Sequence, residues 1–191
     1  MEKDKEISVF KQNNITIPIS NVNKQDLPKY IDSEVLKERI SRITNNRDRM
    51  LVIFLWMTGL RISEALNVKR KHVDLNNDTI VIEWLKSRKY HRRHIPIHAQ
   101  LKQLLSFYLA PFKNEELIFN ISRQRAERIT KKWLGASPHM LRHSFAVHYL
   151  RCGGEVFNLS RLLGHSNIKI TAEYLKIVPK DLAKELNTIN F

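Results

Sequence analysis

Arg61, Lys86, His139, Arg142, His165 and Tyr174 are spread over most of the 191-residue chain, and no pair of them is diagnostic. Taken together they meet the needs of phosphodiester cleavage without a metal: a nucleophile, two cationic donors for the nonbridging oxygens and an acid for the leaving oxygen. Arginine suits the donor role because its planar fork binds two oxygens at once and stays charged near neutrality. Arg61 follows Gly59 at the expected start of a helix, where its side chain and the helix N–H groups can converge on one anion. Glu64, one turn later, is placed to orient the guanidinium. In HMLRH, His139 and Arg142 lie three apart and share a helix face, whereas His143 is expected to point about a turn away.

The same string invites a rival reading, an i, i+4 histidine pair for zinc as in H-x-x-E-H. Arg142 stands where the carboxylate base belongs and would repel the ion, so no metal is expected. Lys86 closes TIVIEWLK and opens a basic hairpin, where it can protonate a leaving oxygen or contact a base edge; Lys89 competes for the same part. His165 follows Gly164 in a turn, placed either to donate to a phosphate or to cap the turn. Tyr174, alone, reads as a core residue, because a phenol of pKa ~10 is a poor nucleophile until basic neighbours stabilise the phenolate. Nucleophile and cationic cluster therefore stand or fall together. Tyr30, Tyr90, Tyr108 and Tyr149 lack such neighbours in a comparable pattern.

The elements that must position these residues follow from periodicity. Residues 1–28 alternate around ITIPIS and read as an arm or edge strand. A helix begins after Asp32 or Ser33, with Val35, Leu36, Ile40 and Ile43 on its buried face. RDRMLVIFLWMTG continues as a helix that stops at Gly59, and RISEALN forms a short one. TIVIEWLK and RRHIPI are the two β-branched strands, joined through residues 87–92. LKQLLSFYL and RQRAERITKKWL are helical by period, and SPHMLRHSFAVHYLRCGG has Ser137 as N-cap, Pro138 in the first position and a glycine pair at its end. VFNLSRLLG, IKITAEYL and PKDLAKELNTI complete an α+β fold, mainly α-helical with a small antiparallel sheet.

Composition supports a polyanionic partner. Lys and Arg number 33 against 19 Asp and Glu, a formal net charge of +14, which does not by itself separate DNA from RNA or an anionic membrane surface. The single Cys152 excludes an intrachain disulfide and a cysteine-based zinc ribbon, and points to a reducing cytoplasm. The longest apolar stretch, Met50 to Met57, is too short to span a bilayer, so no membrane partner is expected.

TGLRISEAL, HMLRHSFAVHYL and LLGHSNIKITAEYL resemble the three signature boxes of the tyrosine recombinase/integrase family, and the similarity takes in LPKYIDSEVL and runs to about residue 180. In that resemblance Arg61 matches the first arginine, Lys86 the hairpin lysine, His139 and Arg142 the H-x-x-R box, and His165 the second histidine. Tyr174, nine residues beyond His165, matches the nucleophile. It implies a catalytic domain over residues 29–191 that attacks a DNA phosphate through Tyr174, forms a 3′-phosphotyrosyl link and frees a 5′-hydroxyl, with no cofactor or metal. Lys86 would protonate the leaving oxygen, His139 would assist proton transfer from the tyrosine, and Arg61, Arg142 and His165 would hold the phosphate. The implied partners are double-stranded DNA and further copies of the chain, a tetramer on synapsed DNA, in a prokaryotic or viral nucleoid-associated setting.

Most family members carry a separate core-binding domain ahead of the catalytic one. The short arm here suggests a minimal single-domain enzyme or an excised catalytic fragment. Leu182, Leu186 and Ile189 form an apolar stripe in the tail, suited to docking on a neighbouring protomer or on its own domain. Lys89, Arg92, Arg93, Arg123, Lys131 and Lys132 are candidate DNA contacts. Two rival functions use the same residues or fold: a type IB topoisomerase-like relaxase and a non-catalytic DNA-binding regulator.

Overall fold

Arg61, His139 and His165 each sit at an element boundary that the chain marks with a cap or a glycine. The computed structural model describes residues 28–86 and 89–178. The N-terminal arm, the hairpin tip and the tail stripe of Leu182, Leu186 and Ile189 lie outside the described residues.

Helix α1 spans Ser33–Ser41 after the N-cap Asp32, whose carboxylate accepts from Arg151 rather than from its own helix. Leu36 and Ile40 are buried on it and Ile43 just beyond, whereas Val35 is 40% exposed: it lies on the solvent side, a correction to its expected place. Helix α2, Asn46–Thr58, starts where the Asn45 side chain accepts from the Asp48 N–H at 3.0 Å and ends on Gly59, which adopts φ 63°. Helix α3, Ile62–Leu66, follows with Arg61 as its N-cap.

Strands β1 (Val73–Asp74), β2 (Thr79–Lys86) and β3 (Lys89–Pro96) form one antiparallel sheet in that order. The pairing of Lys86 with Lys89 shortens the expected connection to residues 87–88, and β1 is a third strand too short to leave a period in the sequence. Ile80, Ile82 and Ile95 face inward, and by the two-residue alternation of β3 so does Arg93. Helices α4 (Ala99–Tyr108), α5 (Arg123–Leu134), α6 (Pro138–Arg151), α7 (Val156–Leu163) and α8 (Ile168–Ala172) follow. IKITAEYL, expected as one helix, becomes α8 and a 3-10 turn, Glu173–Lys176, that carries Tyr174. Among the described residues no helix is long and apolar enough to cross a membrane.

Two cores result. The larger joins α1, α2, α4 and α5 to the inner face of the sheet. The smaller is built from Ala146, Val147 and Leu150 of α6, Leu159 and Leu163 of α7, and Tyr174. Gly59 lies between them: a Cβ there would meet Phe145 Cδ1 at 2.4 Å and Leu163 Cδ2 at 3.0 Å. Strain at positive φ and the clash add, so Gly59→Ala should lower the free energy of urea unfolding by about 2–4 kcal/mol. A loss below about 0.5 kcal/mol would show that neither matters.

Candidate active site

The N-terminus of α6 supplies the centre of the site. Ser137 caps it, its hydroxyl accepting from the Met140 N–H at 3.3 Å, and Pro138 needs no hydrogen-bond partner in the first turn. This leaves the positive end of a 14-residue helix beside His139. Arg61, His139 and Arg142 line one open cavity of about 590 Å³ together with this helix end, and Arg123 and Lys131 of α5 line its other wall. Cationic groups and helix N–H groups thus converge on a space able to take an anion.

Arg61 is held at the rim by Glu64. The carboxylate accepts from the Arg61 backbone N–H at 2.8 Å and from its guanidinium at 3.2 Å, so the expected orienting role of Glu64 has a geometry. Glu64 is also forked by Arg93, with Nη1 and Nη2 each at 2.9 Å from an oxygen, both side chains only 12% exposed. Arg93 is therefore turned inward against Glu64 instead of outward as a DNA contact; the strand alternation that buries Ile95 buries it too. Burial alone would raise the Glu64 pKa, but the hydrogen bonds from Arg93 and the Arg61 N–H, with both arginine charges, hold it below its ordinary value. Of the other candidate contacts, Arg92 pairs with Glu83 at 3.0 Å on the outer face, Arg123 pairs with Glu127 at 2.9 Å, and Lys132 lies 4.6 Å over the Trp133 ring. Lys86 ends β2 and Lys89 begins β3; their side chains lie outside what the structure describes.

Arg142 is almost fully buried, 2% exposed, and its fork donates to two helix ends: Nη1 to the Gly59 carbonyl at 2.8 Å and Nη2 to the Leu163 carbonyl at 2.7 Å. It satisfies carbonyls that α2 and α7 leave free at their C-termini. Burial, with the Arg61 charge, brings its pKa down to about 10, so the guanidinium remains charged at neutral pH. His165 begins beyond Gly164, the C-cap of α7, and its Nδ1 meets the buried Thr171 hydroxyl at 2.8 Å.

The phenol of Tyr174 is in the second core, 3% exposed, and its oxygen lies 2.6 Å from His143 Nδ1. His143 does not point away from His139: the two rings pack edge to face with centroids 4.6 Å apart, because residues four apart lie on one helix face. The sequence signal for His143 is its i, i+4 spacing from His139, which by itself suggests a metal pair and not a partner for Tyr174. Burial pushes the Tyr174 phenol up and the Arg142 charge pulls it only partly back, so the positive cluster does not yield a standing phenolate. Burial, then His139 and Arg142, lower His143 to about 4; burial, then Arg142 and Arg61, lower His165 to about 4. Burial and Arg142 also lower His139.

These shifts make stability depend on pH. Two rings with folded pKa values near 4 and an ordinary value of 6.5 bind fewer protons folded than unfolded between those limits. Stability is thus highest above about 6.5 and falls as pH drops towards 4. Glu64 acts in the same sense: its contribution, present above the unfolded carboxylate value, is lost as pH falls through its depressed folded one. The unfolding free energy should be about 1–2 kcal/mol lower at pH ~5 than at pH ~7, allowing for solvent screening of the half-buried rings. A flat profile would contradict these environments.

Sequence and fold both have known relatives. Residues 29–180 match the family model described as the phage integrase family. Over 177 residues the chain is 34% identical to tyrosine recombinase XerA of Thermococcus onnurineus (strain NA1), which covers 84% of this chain and 62% of that relative. The chain thus spans about three-fifths of the curated relative's length. Its fold superposes on the XerH site-specific recombinase bound to its palindromic difH substrate, a post-cleavage complex, with TM-score 0.64, 26% identity and coverage of 86% and 54% of the two chains. It also superposes on the catalytic domain of bacteriophage HP1 integrase, with TM-score 0.66, 23% identity and coverage of 84% and 94%.

Proposed function

The chain belongs to the phage integrase family, and from that premise we propose that it is a site-specific recombinase that cleaves and rejoins double-stranded DNA through Tyr174. The observation that carries this reading is the shared cavity of Arg61, His139, Arg142 and the α6 N-terminus, with the Tyr174 phenol one histidine behind it. In this scheme the scissile phosphate occupies the cavity. Arg61 donates to its nonbridging oxygens from the rim, steadied by the Glu64–Arg93 pair, and His139 and the helix N–H groups approach from α6. Arg142 adds fixed positive charge at close range while holding α2 to α7. In the tautomer whose Nδ1 accepts from the Thr171 hydroxyl, His165 carries its proton on Nε2 and presents an N–H to the phosphate.

Tyr174 Oη passes its proton to a neighbouring histidine as it attacks phosphorus, the bond to the 5′-oxygen breaks, and Lys86 protonates that oxygen. The phosphodiester energy is retained in the 3′-phosphotyrosyl link, so the freed hydroxyl of a partner strand can reseal it. The net charge of +14, together with Arg123 and Lys131 on the cavity wall, suits a DNA backbone, and the related XerH recombinase is bound to a DNA site. The reaction takes place in a homo-oligomer, a tetramer on synapsed DNA, in the cytoplasm.

Incubating the protein with two duplexes that share a site, one of them labelled, tests the reading: labelled strands should appear joined to unlabelled ones. Relaxation of supercoiled DNA without exchange would favour a type IB topoisomerase-like relaxase. Salt-sensitive binding with no covalent adduct would favour a regulator.

A further inference from the structure

We infer that His143, and not His139, is the base that takes the proton from the Tyr174 phenol; this rests on the strand-transfer reading above. Three observations support it. Among the described residues the hydrogen-bond partner of the phenol is His143 Nδ1, at 2.6 Å, within the range for direct proton transfer. The phenol is 3% exposed, so bulk water does not serve it. His139 is exposed, lines the phosphate cavity, and touches the ring of His143, which leaves it free to act on the phosphate side.

Protonation states agree with this geometry. The groups that act on His143 are His139 and Arg142 on its own helix and Tyr174 on the terminal turn, and the His143 charge in turn acts on His165 beyond α7. Burial with the first two keeps the imidazole neutral, its pKa down to about 4, while burial keeps the phenol protonated. A neutral acceptor therefore faces a protonated donor, and neither has to be charged in advance. As Tyr174 Oη bonds to phosphorus, its proton passes to Nδ1 and the 5′-oxygen leaves with a proton from Lys86. The site then holds an imidazolium and a neutral lysine amine. Resealing reverses each transfer: the attacking 5′-hydroxyl gives its proton to Lys86, and Nδ1–H returns its own to the departing phenolate.

The test uses His143→Asn, whose side-chain oxygen stands close to where Nδ1 stood and still accepts from the phenol but cannot carry a proton. Single-turnover adduct formation on a nicked suicide duplex should fall about 10²–10⁴-fold, with DNA affinity retained. In His143→Ala, added imidazole should restore adduct formation in proportion to its concentration, a response that a purely structural role would not give. Wild type forming the adduct while His143→Asn does so at an equal or faster rate, or His143→Ala ignoring imidazole, would overturn the assignment. Wild type forming no adduct would sink the strand-transfer reading itself, and this assignment with it.

Discussion

Tyr174→Phe should abolish the covalent DNA adduct, lowering its rate of formation by at least about 10⁴-fold, while leaving DNA binding and most of the stability intact. The chemical loss is total in kind, because a phenyl ring has no oxygen to attack phosphorus. The structural loss is small. The ring still fills the space among Ala146, Val147, Leu150, Leu159 and Leu163, and among the described residues the one hydrogen bond lost is that to His143. That bond is worth about 1 kcal/mol net, a shift of roughly 2–4 °C in the thermal midpoint of a chain this size. On the proposed reading DNA affinity rests on cations that line the cavity, such as Arg61, Arg123 and Lys131, and not on the buried phenol. An adduct that persists in Tyr174→Phe would place the nucleophile elsewhere.

Arg142→Ala should have the opposite balance, a large loss of stability together with loss of cleavage. The guanidinium joins the carbonyl of Gly59 to that of Leu163, and both acceptors would be left buried without a donor. At about 1–3 kcal/mol for each stranded group, with the volume of the side chain also lost, unfolding should become easier by about 3–5 kcal/mol. Against a typical domain stability of about 5–15 kcal/mol, the variant would be marginal at ordinary temperature. Arg142→Lys keeps the charge but lacks the planar two-nitrogen fork that spans the two carbonyls, so it should recover part of the stability and little of the cleavage. Urea unfolding curves of the three proteins measure this. A cost below about 1 kcal/mol for Arg142→Ala would mean that Arg142 does not hold α2 to α7.

Caps and glycines made the helices around the site legible from the sequence. Ser137, Pro138 and the glycines after Arg151 bound α6, and Gly59 and Gly164 end α2 and α7 where the structure ends them. Two kinds of feature were not legible. Arg142 as a buried anchor depends on two helix ends meeting over it, an arrangement without local signature, and an arginine is otherwise expected at the surface. The positive charge around Tyr174 points to a stabilised phenolate, but burial opposes that charge and prevails, which shifts the problem from stabilising a phenolate to removing a proton. Two other features do have a signal in the sequence. The alternation of Arg93 and Ile95 along β3, continued by Ile97 just beyond it, puts Arg93 on the inward face, and the spacing of His139 and His143 puts both rings on one side of α6.

The central claim, strand transfer through Tyr174, is tested most directly by mapping the covalent link. Adduct formed on a suicide duplex is digested with nuclease and trypsin, and the peptide that retains a nucleotide is sequenced by mass spectrometry. Cleavage after Lys169 and Lys176 should yield Ile170 to Lys176 with the nucleotide on Tyr174. A nucleotide on any other residue, or a protein that exchanges DNA strands with no covalent peptide at all, would contradict the account.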